Sequence, residues 1–263
     1  MLAEYTGFFS RASLGEFGFR WLHVLAGIMW IGLLYYFNFV QVPAFAAFGD
    51  EGRARNIAID KVARKALWWF RWAAVSTFVT GILITVVEKD YFGNNLAKSP
   101  KGLAIETGML LGTIMMLNVW GVIWRNQKVV LANAVNVLNG GEADPAAAAA
   151  GRKALMASRQ NAVFAISMLF LMVYKGHGPY GLKFDANGTA IVMSGGKIAL
   201  WWIITIVLIG ILELNALGLL PWKTAPNKGL NVLYDGKGVR NPLIAAAGLS
   251  IVFLILTEVI FKY

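Results

Sequence analysis

An all-α, polytopic membrane helix bundle of about six transmembrane helices is the fold class this sequence predicts, on three observations. Of 263 residues, 58% are hydrophobic and only 14% are charged, a balance outside the range of ordinary soluble domains. Apolar runs long enough to cross a ~30 Å hydrocarbon core recur along the chain, separated by polar stretches. The basic residues behind the net charge of +10 fall in short groups beside those runs. That pattern suits anionic lipid headgroups. Membrane lipid is therefore an expected partner, and nucleic acid is not.

Residues 1–263 read as a single integral membrane domain with spans at about 18–41, 66–87, 103–124, 158–177, 198–220 and 242–261. The first sixteen residues are too polar for a cleavable signal peptide, so the first span is expected to direct insertion. That span would reach about 36 Å as a helix. Arg20, Trp21 and His23 mark one end, and Tyr35, Tyr36, Asn38 and Gln41 mark the other. The remaining spans read as its supporting bundle. Span two carries Arg71 behind crowded tryptophans, and span three carries Glu106, Asn118 and the Gly108/Gly112 spacing that lets another helix approach closely.

Arg125 to Arg159 is the longest polar connection, and its alanine-rich run after Asp144-Pro145 predicts short surface helices. Span four is stopped by Gly178-Pro179. Tyr180 to Lys197 alternates around Asn187-Gly188, a hairpin signal outside the membrane. Span five carries Glu213 and Asn215 and ends at Pro221-Trp222; span six carries Glu258.

Lysines and arginines number 14 on loops one, three and five, against 9 on the other side, with Arg71 left out as lying inside a span. Positive charge stays in the cytoplasm. Both termini are thus expected outside it.

Depth sorts the polar residues of the spans into two groups. His23, Glu106, His177 and Glu258, with Arg20 as a supporting residue, share the outer leaflet; Arg71, Glu213 and Asn215 share the inner one, with Asn118 deeper. Histidines of similar depth on different helices are candidate axial ligands of a b-type haem, since neutral imidazole binds iron and helix bundles hold porphyrins. The alternative is that His23 hydrogen-bonds Glu106 or Glu258 while His177 lies in solvent. Glu106 and Glu258 are also candidates for proton relay. Arg71 and Glu213 are expected to form a structural ion pair, with an anchor for a propionate or a substrate as the other reading.

With no cysteine in the chain, covalently attached c-type haem, iron–sulfur clusters and disulfides are excluded. No metal beyond haem iron is expected. No nucleotide loop, nucleophile elbow or zinc signature is present either. Whether the chain is an enzyme stays open at this point; an activity would rest on a redox cofactor or on a site that carries no known motif.

Four stretches, RWLHVLAGIMWIGLLYYF (Arg20 to Phe37), WWFRWAAVSTFVTG (Trp68 to Gly81), NVWGVIWRNQKVV (Asn118 to Val130) and SRQNAVFAISMLFLMVYKGHGPY (Ser158 to Tyr180), resemble the membrane domain of the bacterial cytochrome-c-linked urate oxidases, or urate hydroxylases. The resemblance implies a multi-pass protein of the bacterial inner membrane that passes electrons to a cytochrome c on the periplasmic side. His23 and His177 match the family pattern; Gln160-Asn161 stands where that pattern has His-Asn. Members carry their cytochrome c as a C-terminal domain, which this cysteine-free sequence lacks, so the expected acceptor is a separate cytochrome c. The alternative is a non-catalytic accessory subunit of a larger respiratory, photosynthetic or oxygenase complex. A purine transporter ranks third, since no inverted repeat is visible.

Overall fold

A computed structural model describes residues 10, 13–87, 96–181, 183–184, 186, 190–220, 228–235 and 240–262. Six helices are long and apolar enough to cross a membrane: α1 Phe19–Ala47, α2 Gly52–Val87, α3 Pro100–Leu138, α4 Ala146–His177, α5 Gly195–Ala216 and α6 Arg240–Ile260. Two local signals set starts that the sequence makes visible. Ser99 accepts from Gly102 N at 3.1 Å with Pro100 in the first turn of α3, and Ser194 caps α5 by accepting from Lys197 N. Both satisfy main-chain donors that a helix start leaves open.

Helices α2, α3 and α4 run well beyond the expected spans. The Arg125–Arg159 connection is a helical hairpin rather than a loop: α3 continues to Leu138, and the alanine-rich run forms the opening turns of α4. Asp144 makes the start, its Oδ1 accepting from Ala146 N at 2.8 Å while its own N–H donates to Asn133 Oδ1 at 2.7 Å. High alanine propensity then carries the helix forward. Its small buried positions Ala150, Ala154 and Ala157 let this arm pack against α3, where Leu131 and Ala134 are also buried. An alanine run with a neighbour at such close range does not need to break into short helices.

The organising element is α4, not α1. Seventy-two per cent of its most apolar window is buried, against 28% for α1, α2, α5 and α6 and 39% for α3. It packs on α3, α6, α5 and α1, while α1 packs mainly on α2. The Gly108/Gly112 spacing works as expected: a Cβ at either glycine would stand 3.4 Å from Met172 or Met168 of α4. Leu111, Phe164, Trp201 and Phe253 fill the centre.

Between α4 and α5, β1 (Lys183–Phe184) pairs antiparallel with β2 (Ala190–Ile191), Lys183 opposite Ile191. The Asn187-Gly188 turn itself lies outside the described residues, as does Pro221-Trp222. Three π-helical turns interrupt the long helices, at Tyr36–Gln41, Ile59–Ala63 and Val119–Ile123. Such turns often accompany functional positions. Two of them adjoin the buried amides Asn38 and Asn118.

Candidate functional site

The chain's up-and-down course brings the start of α1, the end of α2, the start of α3 and the ends of α4 and α6 to one face, called here the N-terminal face. His23 lies on it, half-buried against α2. Its Nδ1 is 2.8 Å from Thr77 O and 3.2 Å from Thr80 Oγ1. A carbonyl oxygen only accepts, so the ring proton sits on Nδ1 and the lone pair on Nε2. The Thr80 hydroxyl agrees, since it donates to Ser76 O at 2.6 Å and leaves its oxygen to accept. The ring reaches this position because residue 81 is glycine: a Cβ there would stand 3.2 Å from His23 Cε1. Neither Glu106 nor Glu258 orients this imidazole.

His177 ends α4 and is exposed. It lines a groove between α4 and α6, together with Tyr174 and Glu258. Glu258 Oε2 accepts from the Tyr180 hydroxyl at 2.7 Å and lies 3.9 Å from Lys262 Nζ. That hydrogen bond to a carboxylate holds the Tyr180 phenol above its ordinary pKa. The two histidines have no contact residue in common: His23 packs against α2, and His177 lines the groove beside α6. Arg20 is exposed on α1, and Glu106 is half-buried on α3.

The deeper group rearranges more. Arg71 and Glu213 form no ion pair. The Arg71 guanidinium lies over the Trp124 ring, 3.9 Å from its centroid, and 5.6 Å from that of Trp120, whose Nε1 donates to Arg71 O at 3.1 Å. Aromatic faces stabilise the cation in place of a carboxylate. Glu213 Oε2 accepts from Asn118 Nδ2 at 3.2 Å, and the same amide donates to Asn161 Oδ1 at 3.0 Å. Asn161 in turn donates to Met115 O at 2.9 Å.

Further amides complete a polar layer across α4. Asn38 donates to Ser158 Oγ at 2.8 Å, and Gln160 is fully buried with no hydrogen-bond partner on either Nε2 or Oε1. Asn38, Ser158 and Asn161 escape a search for titratable groups. The signal that finds them is an uncharged polar residue inside an apolar run, where hydrocarbon offers it no partner.

Just outside the bundle, Arg152 grips Asp235 with two hydrogen bonds of 2.6 and 2.8 Å, and Arg159 Nη1 donates to Tyr234 O at 2.5 Å. The Tyr234 hydroxyl donates to Leu212 O at 3.1 Å, and its burial raises its pKa. This clamp fixes the Gly229–Leu233 turn over the end of α5.

Fold and polar layer together define a six-span membrane protein whose polar layer joins buried amides to the Glu213 carboxylate. Residues 82–206, under half of the chain, match the family described as urate oxidase N-terminal, and this stretch is similar to that family's domain. The match includes Glu106, Asn118, Gln160, Asn161 and His177, and leaves His23, Arg71, Glu213 and Glu258 outside. No curated protein and no solved structure matches the chain.

Proposed function

We propose that the chain is a urate-oxidase-type redox protein that sits as a single unit in the bacterial inner membrane and passes electrons to a separate cytochrome c. The observation that carries this reading is the match of residues 82–206 to the urate oxidase N-terminal family. The excess of basic residues on loops one, three and five supports a periplasmic position for both termini. The N-terminal face then meets a periplasmic acceptor.

A haem b held by both histidines does not fit this arrangement, because His23 is fixed to α2 and His177 stands in the α4/α6 groove. A single ligand does fit. His23 has its Nδ1 proton bound to the Thr77 carbonyl, the outer-shell contact that holds ligating imidazoles, and its Nε2 carries the free lone pair. A haem there would supply one-electron transfer near the N-terminal face. His23 would hold the iron, and Thr77 would hold His23.

The separation of the histidines favours a second reading, an accessory subunit of a larger membrane complex without chemistry of its own. One preparation decides. The purified protein is expected to show a Soret band and to reduce added cytochrome c when urate is supplied. His23→Ala should abolish the band and His177→Ala should retain it. A protein without a Soret band or urate-dependent reduction, co-purifying with other membrane subunits, would overturn the redox reading in favour of the accessory one.

A further inference from the structure

From the groove between α4 and α6 we infer a binding site for an isoprenoid quinone, with the head at the N-terminal face and the tail descending along α4. This goes beyond the redox reading and does not depend on a haem. The groove, about 510 Å³, falls in the range of small-molecule sites. One stripe of α4 forms its wall, running from Ile166 through Val173 and Tyr174 to His177, with Leu254 and Glu258 opposite on α6. Ile166 to His177 spans about 16 Å at the helical rise, roughly half the hydrocarbon thickness. The tail therefore has an apolar path from the interface to mid-membrane. Val173 and Leu254 are 58% and 47% exposed, which leaves that path open sideways to the bilayer.

The head end decides the ligand. Tyr174 is 5% exposed and its hydroxyl is fully buried beside Thr257 and the Tyr180 main chain, so it forms the floor of the head end and does not itself reach a ligand. Beside it stand the His177 imidazole and the Glu258 carboxylate, held in place by Tyr180. A group able to donate or accept beside an acceptor suits a neutral ring carrying oxygens, His177 meeting its carbonyl form and Glu258 its hydroxyl form. A phospholipid phosphate suits them less, because it would have to displace the Glu258 carboxylate from Tyr180 and from Lys262, 3.9 Å away, before reaching a cation. The Tyr174 ring also offers an aromatic edge to a planar head.

The test is titration of the purified full chain in detergent with decylubiquinone, followed calorimetrically. Saturable binding of one molecule per chain is expected. Glu258→Gln and His177→Ala should each weaken it about tenfold, the effect of losing one good hydrogen bond. Val173→Trp, which fills the groove from its lipid-facing side, should abolish it. Val252→Trp, in a separate groove lined by α5 and α6, should leave it unchanged. Three outcomes overturn the inference: no saturable binding, binding unaffected by both Val173→Trp and Glu258→Gln, or equal displacement by phosphatidylglycerol, which would reduce the groove to a place for annular lipid. The two milder variants keep the result readable should Val173→Trp fail to fold.

Discussion

Removing either side of the Arg152–Asp235 clamp should destabilise the protein unequally, and the structure predicts which removal is worse. Asp235 has a side chain 4% exposed, whereas Arg152 is 39% exposed. Breaking a fully buried pair costs about 3–5 kcal/mol and an exposed one about 0–1. A half-buried pair with two short hydrogen bonds falls between them, near 2 kcal/mol. Arg152→Ala leaves Asp235 with a second cation, since Arg159 lies beside it, so its cost should drop to about 1–2 kcal/mol. Asp235→Ala leaves two guanidinium groups facing each other without an anion, and should cost about 2–4 kcal/mol. At about 2–4 °C per kcal/mol for a chain approaching this length, Arg152→Ala should lower Tm by roughly 2–8 °C and Asp235→Ala by roughly twice as much. Fluorescence-detected size-exclusion after heating in detergent reads both. An Arg152→Ala loss equal to or greater than that of Asp235→Ala would refute the reasoning, as would strictly additive effects in the double variant.

Arg71→Ala and Glu213→Gln should be additive within about 0.5 kcal/mol, because each residue has a different partner. Arg71→Ala and Trp124→Ala should instead couple by about 1 kcal/mol, in the range of a half-desolvated cation–π contact; thermal unfolding of the two cycles checks both statements, and a coupled Arg71/Glu213 pair would restore the ion pair. Asn118→Leu removes the donor to both Asn161 and Glu213. At roughly 0.6 kcal/mol per intramembrane hydrogen bond, with a ceiling near 1.7, Tm should fall by a few degrees, and an unchanged Tm would show that the layer is not holding α3, α4 and α5 together.

Length and apolarity make the six spans legible and place the beginnings of α3 and α5 within a few residues, while the capping serines Ser99 and Ser194 that set those starts are a finding of the structure. The hidden part was what lies beyond the hydrocarbon. Polar, charged residues such as Arg53, Lys61, Arg125 and Lys128 read as loop in a hydropathy argument, although nothing in Gly52–Ala63 or Trp124–Leu138 breaks a helix. Water satisfies their outer faces, while Ile59, Ala63, Leu131 and Ala134 supply buried inner ones. The central place of α4 was hidden for a related reason. Its alanines, serines and amides lower its hydropathy below that of α6, yet small and polar side chains are what a membrane helix needs in order to be surrounded by other helices.

Depth along a membrane helix can be counted from its ends, but direction around it cannot be read from a sequence apolar on every side. Depth therefore groups His23 with His177, which contact different helices, and Arg71 with Glu213, although the Arg71 side chain turns to Trp120 and Trp124. In α4 the polar residues themselves supply the missing direction. Ser158 meets Asn38 of α1, Asn161 meets Asn118 of α3, and Ser167 meets Ser250 of α6 at 3.0 Å. Residues seven apart share a helix face, so Gln160 belongs to the Ser167 stripe and turns toward α6. Each of the other three has a side-chain partner from the neighbouring helix. Gln160 has none on either amide atom. A fully buried amide without a partner is costly, so the polar layer is least complete at position 160, where both amide atoms are open while Asn38 leaves only its Oδ1 so, and a change of Gln160 most directly asks what the layer holds.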